Sequence, residues 1–287
     1  MVIVGFLVVV GSAALGFMIA VKFDFGRMGA FAALPEYLII IGAATGALLI
    51  SAPMPLIKRI IAGALGILKG PKVSKKAYIE LLKLLYELFQ FAKREGLIAL
   101  EPHVEKPDSS TIMAKYSTFL ANHHGVEFLC DTLKIVLSGG VPAHDLEELM
   151  DLDLESVHSE ELMPSAQLTV TADSFPGLGI VAAVLGVIVT MGAINEGAAK
   201  VGEHIAGALV GTFIGVLFSY GFVGPVAKHM DSIVKKESTY LAAIKASLLS
   251  FAKGAPASVA VEYGRRAIEP EYRPSFKETE EALKSTK

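Results

Sequence analysis

The sequence predicts an all-α integral membrane protein with four transmembrane helices and a helical cytoplasmic domain. Of its 287 residues 53% are hydrophobic and the mean hydropathy is +0.54, which is too apolar for an ordinary soluble domain of this length. Four apolar segments each approach the roughly 20 residues that a helix needs to cross a hydrocarbon core of about 30 Å. Most of the charged residues lie in one stretch between these segments and in another after them.

The predicted spans are residues 2–21, 34–52, 174–193 and 205–223. The first has no basic residues before its apolar run, and that run is longer than the roughly 7–15 residues typical of a signal peptide. We therefore interpret it as a retained span. A polar domain, residues 54–172, separates the second and third spans, and a tail, residues 224–287, follows the fourth.

Lysine and arginine are distributed unevenly around the spans, and this bias sets the orientation of membrane proteins. The short connections hold only Lys22, Arg27 and Lys200. Many more follow the second and fourth spans: Lys58, Arg59, Lys69, Lys72, Lys75, Lys76, Lys228, Lys235 and Lys236. We expect the domain, the tail and both termini to be cytoplasmic.

The cytoplasmic part has the apolar spacing of helices. Leucine and aromatic residues predict a helix over residues 74–95 that Gly96 stops, and a second helical run extends over residues 111–137. A further helix is expected to start near His144. The tail keeps helical spacing and is expected to become loose and charged after Phe276.

Small residues recur at helical spacing in three spans, which allows another helix backbone to approach closely. They are Gly42 and Gly46 in the second span, Gly179, Ala183 and Gly186 in the third, and Gly207, Gly211, Gly215 and Ser219 in the fourth. Packing within the chain and a path for a helix from another chain both remain open at this point.

Two prolines lie at the cytoplasmic membrane boundary in this topology. Pro176 begins the third span and Pro225 ends the fourth, and proline is tolerated at a helix start and just beyond a helix end. Because both lie at one depth, a paired hinge or a pore mouth is the alternative to this neutral role.

The spans contain no ionisable residue near their middle. Their polar side chains belong to Ser12, Thr45, Thr190, Thr212 and Ser219. Glu36, near the outer boundary, is interpreted as an interfacial carboxylate in water. Because an ionisable residue within a span is the usual mark of an ion relay, conduction of ions would require a titrating group from another chain.

Several other classes of function are disfavoured. A net charge of −3 argues against a nucleic-acid partner. The histidines lack the spacing of a metal-ligand set, so no metal site is expected. No phosphate-binding loop, dinucleotide fingerprint or zinc-protease motif occurs, and we expect no enzyme activity. Lys93, Arg94 and Glu101 form a charge run near a helix end, for which a solvated face is the usual explanation.

Seven motifs spread over nearly the whole chain occur in a characteristic order: GLIALE (96–101), LKIVLSGG (133–140), LEELMDLDLE (146–155), DSFPGLGIVAAVLGVI (173–188), GALVGTFIGVLFSYGFVGPVA (207–227), VAVEYGRRAI (259–268) and RPSF (273–276). With them the chain resembles the MotA family, the larger stator subunits of the bacterial flagellar motor. So many matches in order are highly specific.

The resemblance implies a homo-oligomer, a pentamer, around two copies of a MotB-type subunit whose single membrane helix supplies the ion-binding aspartate. Small residues at Gly179, Ala183 and Gly186 would then leave room for that helix and for water, and Thr212 would offer a hydroxyl. No cofactor is implied. The transported ion is expected to be H⁺ rather than Na⁺, because sodium-type members are expected to carry threonine where this chain has Ala183.

The resemblance also assigns roles to charged residues and prolines. Pro176 and Pro225 match the two important prolines of the family, and Glu101 matches its key cytoplasmic glutamate. The position of the family's torque-related arginine falls on Lys93, with Arg94 beside it. These charges are expected to contact a rotor protein of the FliG type.

Three alternatives are weighed against this interpretation. An energising subunit of the ExbB/TolQ type also surrounds an aspartate-bearing partner, but the four spans and the RPSF tail argue against it. A secondary transporter would use broken helices and internal repeats, which the sequence does not show. A passive membrane scaffold would share the glycine faces but has no need of two prolines at one depth.

Overall fold

The computed structural model describes residues 2–20, 34–69, 73–192 and 194–284, and every regular element in these ranges is helical. The chain divides into two compact units, each with its own packing. Unit 1 comprises Met1–Gly70 and Leu162–Ser232, and unit 2 comprises Pro71–Glu161 and Ile233–Lys287. Fold class is as the sequence predicts: all-α, with four helices in the described residues long and apolar enough to cross a membrane.

Helices α1 to α3 belong to unit 1. They are α1 (Val2–Ala20), α2 (Leu34–Ser51) and α3 (Met54–Gly66). Val21 and the connection after it lie outside the described residues. Most side chains of α1 are exposed, and these apolar side chains are suited to lipid or to other protein chains.

The remaining helices of unit 1 come from the second half of the chain. They are the C-terminal part of α8 (Ala143–Gly192), α9 (Ala198–Leu217), a π-helical segment (Phe218–Val223) and the start of α10 (Gly224–Ala252). The predicted span end at Ala193 lies outside the described residues. A small core joins α2, α8 and α9: Ile40, Ala44, Phe175, Ala182, Val210 and Ile214.

Unit 2 has a larger, mainly apolar core. Its helices are α4 (Lys75–Glu95), α5 (Glu101–Glu105), α6 (Ser117–Leu120), α7 (His123–Ser138), the first part of α8, most of α10, α11 (Ala257–Ala267) and α12 (Phe276–Lys284). Phe89 of α4 stacks on Phe251 of α10 with ring centroids 4.3 Å apart, and the ring of Tyr78 lies 5.4 Å from that of Tyr240 at a tilt of 43°. Gly96 ends α4 with φ +92°, which confirms the predicted stop.

The predicted helical run over residues 111–137 is wrong in its first half. The hydroxyl of Ser110 accepts the backbone N–H of Met113 at 3.0 Å, and a short turn follows instead of a helix. The side chain of Asn122 then caps α7 by accepting the N–H of Gly125 at 2.8 Å. Side chains that bind nearby backbone groups compete with helix formation and favour such boundaries.

The tail is helical and packed over Phe276–Lys284, so the expectation of a loose segment there is wrong. Ser275 and Glu278 form a reciprocal capping box at the start of α12. Glu278 also pairs with Lys75 at 2.8 Å, and this lysine holds the pKa of Glu278 at about 2. Leu283 packs on the core of unit 2. The capping box and the ion pair thus fix the start of α12, and Leu283 anchors its last turn to the core.

Arg265 and Arg273 hold the loop that precedes α12. Arg265 binds both carboxylate oxygens of Glu262, at 2.7 and 2.8 Å, and donates to the carbonyl of Pro274. This pairing lowers the pKa of Glu262 to about 2. Arg273 donates to the carbonyls of Ile268 and Arg266. The arginines of the RRAI and RPSF motifs therefore act within the fold of unit 2.

Candidate functional site

Helices α8 and α9 touch backbone to backbone in unit 1. A Cβ atom placed on Gly215 would lie 2.5 Å from the carbonyl oxygen of Phe175 and 3.0 Å from the Cα of Gly179. Neither distance leaves room for a side chain. Lipid tails are as apolar as the side chains, so helix association in a membrane depends on such close van der Waals packing.

The same contact continues along both helices. A Cβ on Gly179 would lie 2.9 Å from the carbonyl oxygen of Gly211 and 3.3 Å from the Cα of Thr212. Further on, a Cβ on Gly186 would lie 2.8 Å from the Cβ of Ala208. Gly179, Gly186, Gly211 and Gly215, which the sequence singles out, are therefore brought together at one interface.

Gly207 faces a different helix. The nearest atom to a Cβ on this residue is Oε1 of Glu36, at 3.4 Å, and Glu36 belongs to α2. An α-helix has 3.6 residues per turn, so positions four apart drift by about 40° and Gly207 is turned about 80° from Gly215. Ala208, not Gly207, takes the place opposite Gly186.

Ala183 and Thr212 both lie beside this interface and are half-buried. The backbone nitrogen of Ala183 is 3.6 Å from the Cβ position of Gly211. Of these two side chains only Thr212 offers an oxygen, and Ala183 offers a small apolar surface. These two residues therefore contribute a small side chain and one hydroxyl group beside the interface, but no charged group.

Pro176 lies in the interior of α8, so its placement at a helix start is wrong. One unbroken helix runs from Ala143 to Gly192, and the hydroxyl of Ser174 donates to the carbonyl of Thr171 in that helix and does not cap a new one. The proline has no N–H for the carbonyl of Ala172, and its ring crowds that carbonyl. Phe175, directly before it, supplies the carbonyl oxygen that meets Gly215.

Pro225 likewise does not follow a helix end. The chain passes from α9 through the π-helical segment Phe218–Val223 directly into α10, where Pro225 is the second residue. The N–H of Gly224 donates to the carbonyl of Ser219, five residues back. A π turn is wider than an α turn, so it relieves the contact between a proline ring and the carbonyl four residues before it.

Two features near these prolines were not predicted from the sequence. Pro164 is a second interior proline of α8, three turns before Pro176. A groove of about 250 Å³ lies beside it, and its polar lining includes Ser165, Thr169 and Lys228. The spacing of Ser165 and Thr169, four residues apart on one helix face, is the signal that was available in the sequence.

Lys93, Arg94 and Glu101 are all exposed on unit 2. The two basic residues end α4, and Glu101 follows Gly96 and a single 3₁₀ turn. Arg94 pairs with Glu95, Nε to Oε1 at 2.9 Å, so Glu95 is a further member of this charged surface that the sequence analysis did not name.

The three charges line two separate grooves of unit 2. Lys93 and Arg94 line one of about 310 Å³ together with the residues that begin α11. Glu101 lines another of about 270 Å³ with Glu105 and Lys134. The side chains are thus accessible and of both signs, which suits contacts with a charged partner surface.

Two histidines of unit 2 each contact a serine hydroxyl, and its cysteine is buried. Nδ1 of His103 lies 2.8 Å from Oγ of Ser110, and Nδ1 of His158 lies 2.7 Å from Oγ of Ser238. Burial raises the pKa of the Cys130 thiol to about 11, which makes it a poor nucleophile. Over the described ranges, no group of three or more His, Cys, Asp or Glu is placed to hold a metal ion.

Comparison with known proteins decides the family. Residues 3–96 match the model of the motility protein A N-terminal region, and residues 121–243 match that of the MotA/TolQ/ExbB proton channel family. Motility protein A of Escherichia coli is 34% identical over 287 residues, which covers all of this chain and 96% of the relative. The chain belongs to the motility protein A family.

Further relatives agree with this assignment. The chemotaxis protein LafT of Vibrio parahaemolyticus is 36% identical over 258 residues, 90% of each chain. In fold, the chain resembles a solved C. jejuni MotAB structure (TM-score 0.76, 19% identity, 96% of this chain and 98% of that one). It also resembles the flagellar MotAB stator complex from Bacillus subtilis (TM-score 0.73, 23% identity, 99% and 98%). As a member of this family with four apolar helices, the chain is a multi-pass membrane protein.

Replacement of Gly215 by alanine tests the backbone contact of α8 and α9. The new Cβ would meet the carbonyl oxygen of Phe175 at 2.5 Å, and we expect the variant to lose about 1–3 kcal/mol, as overpacked sites do. Thermal unfolding of the detergent-solubilised protein measures the loss. Gly202→Ala is the matched control on the same helix, because nothing lies within 4 Å of its Cβ position. Equal stability of the two variants would show that the helices do not touch here.

Proposed function

We propose that this chain is the MotA-type subunit of a flagellar stator, which converts an ion gradient into torque on the rotor. The observation that carries the proposal is the full-length similarity to motility protein A, together with the small-residue interface of α8 and α9. The chain supplies walls for an ion path, and a MotB-type partner supplies the aspartate that binds the ion. It performs no covalent chemistry.

The proposed assembly is a pentamer of this chain around two copies of the partner helix. Its support is the similarity in fold to two MotAB structures. The distribution of lysine and arginine supports a cytoplasmic location for unit 2 and both termini. In that orientation the charged residues of unit 2 are on the side of the membrane where a FliG-type rotor protein would meet them.

We propose H⁺ as the transported ion. Na⁺ needs several oxygen ligands to replace its hydration shell, whereas a proton needs a titratable carboxylate and a path of water. At the interface of α8 and α9, Ala183 offers no oxygen and Thr212 offers one hydroxyl. This donor set suits proton transfer better than coordination of sodium.

The proposal is tested in a motile strain that lacks its own stator subunits. Expression of this chain together with its MotB-type partner should restore swimming, and swimming should persist in sodium-free medium. Each protein expressed alone is the control. No motility with both proteins present in the membrane would refute the stator function, and motility that requires sodium at constant membrane potential would refute the choice of ion.

The two prolines are proposed to transmit motion from the ion path to unit 2. Helices α8 and α10, which contain them, each have residues in both units. A helix with a missing hydrogen bond, or a π turn, bends more easily than a regular helix. Pro176 and Pro225 are therefore points at which ion binding can tilt a helix.

Pro176→Ala and Pro225→Ala should assemble normally and rotate slowly. Alanine restores the N–H and is about 3 kcal/mol more favourable than proline in a helix interior, so neither variant should be lost through unfolding. Immunoblots of membranes and the speed of tethered cells measure the two properties. Pro164→Ala, which removes another interior proline of α8, is the control and should rotate normally. Poor accumulation of the first two variants would instead indicate a packing role.

The charges of unit 2 are proposed to push on the rotor. Exposed ion pairs are worth only about 0–1 kcal/mol each, so they suit contacts that form and break on every step. One elementary charge that crosses about 100 mV releases about 2.3 kcal/mol, which is more than one such contact costs to break. Lys93, Arg94 and Glu101 are the candidates on this surface.

Charge reversal at these positions should reduce torque and leave membrane insertion intact. Arg94→Glu, Lys93→Glu and Glu101→Lys are compared at high load, and a compensating reversal on the rotor should restore part of the torque. Glu148→Lys is the matched control, because the side chain of Glu148 is 73% exposed and that of Arg94 is 74% exposed. Normal torque in all three test variants would show that these charges are only a solvated helix end.

A further inference from the structure

Glu36 lies on the face of α2 that packs into unit 1. It is in the first turn of the helix, and Ile40 and Ala44 follow it at intervals of four residues on the same face. Ile40 is fully buried and Ala44 is 2% exposed, and both belong to the core that joins α2, α8 and α9. Glu36 itself is half-buried. Its side chain therefore points along the interface between helices, and not away from it into surrounding lipid.

The carboxylate occupies space that two glycines of α9 leave open. Oε1 of Glu36 is 3.4 Å from the Cβ position of Gly207, and Cγ of Glu36 is 3.5 Å from that of Gly211. A methyl group at Gly207 would be in van der Waals contact with the carboxylate. Glycines at these two positions thus accommodate an ionisable group as well as a helix contact.

Glu36 also lies next to the predicted ion path. The Cβ position of Gly211 is in contact with Cγ of Glu36, with Cβ of Ala182 at 3.2 Å and with the backbone nitrogen of Ala183 at 3.6 Å. Glu36 and Ala183 therefore meet at one point on α9. From there the glycine contact of α8 and α9 continues through Gly179 and Gly215.

We propose that Glu36 is a proton-binding site of this chain, which takes up the ion at the outer end of the path before it reaches the partner's aspartate. The inference rests on the proposed stator function and orientation. The carboxylate accepts a proton from outer water, becomes neutral, and releases it to water beside Ala183, so its charge returns to −1 after each transfer. Carboxylates within transmembrane segments that face a helix interface commonly mark ion pathways.

Two substitutions separate this role from simple packing. Glu36→Gln keeps the shape of the side chain and removes the proton-binding group, whereas Glu36→Asp keeps the carboxylate and shortens the side chain. Complexes of each variant with the MotB-type partner are reconstituted in vesicles that contain a pH-sensitive dye, and proton flux is driven by a potassium diffusion potential. Glu203→Gln removes an exposed carboxylate of α9 and is the matched control.

We expect Glu36→Gln to lower the proton flux at least about tenfold, since positioned proton-transfer groups contribute factors of this size or larger. Glu36→Asp should retain more flux than Glu36→Gln, and Glu203→Gln should equal the wild type. Wild-type flux in Glu36→Gln, or more flux in Glu36→Gln than in Glu36→Asp, would overturn the proposal. Failure of Glu36→Gln to assemble would also overturn it, because the side chain would then be structural. Flux through the wild-type complex tests the stator function separately.

Discussion

The direct contact between the backbones of α8 and α9 is the constraint on which the rest of unit 1 depends. The Cβ position of Gly215 is 2.5 Å from the carbonyl oxygen of Phe175 and 3.0 Å from the Cα of Gly179, so α9 cannot carry a side chain at this position. A membrane helix pair gains no hydrophobic driving force from its lipid surroundings and depends on such packing. Because the contact uses only small residues, it forms a narrow wall that contains a hydroxyl but no charge.

The two prolines lie close to this contact between α8 and α9. Pro176 follows Phe175, whose carbonyl oxygen meets Gly215, so any tilt of α8 at the proline is transmitted directly to α9. On the other helix, the π-helical segment begins three residues after Gly215 and ends just before Gly224 and Pro225. Pro176 and the π-helical segment thus both lie close in sequence to the residues of the contact at Gly215. Because the helices touch there, a small motion of one helix has to move the other. We therefore expect bending at either proline to move both packed helices, and not only the helix that contains the proline.

The sequence was sufficient for those features that depend on composition and local pattern. Four apolar segments predicted the spans, and Gly96 predicted the end of α4, because hydrophobicity and positive φ are properties of single residues. The sequence was insufficient for those helix boundaries that depend on contacts with other helices. Pro176 and Pro225 were expected at helix ends. In the structure Pro176 lies inside α8, and Pro225 lies where the π-helical segment continues directly into α10. The tail after Phe276 was expected to be loose, but a capping box, a lysine of α4 and the core of unit 2 hold it.

The candidate site shows the same division. A repeat of four predicted a single glycine face on α9, and the actual helix divides it, with Gly215 and Gly211 toward α8 and Gly207 toward Glu36. The rotation between glycines four residues apart follows from the 3.6 residues per turn of an α-helix and could be predicted from the sequence. The residues that contact each glycine could not. For that reason Glu36 was interpreted as an interfacial carboxylate in water, whereas the structure places it against the glycines.

We propose that this chain provides the walls of an ion path and that the ion crosses the middle of the membrane on a carboxylate of another chain. The decisive experiment is to measure proton flux through the purified chain, reconstituted in vesicles without its partner. We expect vesicles containing the chain alone to hold an imposed proton gradient as well as empty vesicles do. Flux above that of empty vesicles, in the absence of any aspartate-bearing partner, would contradict it.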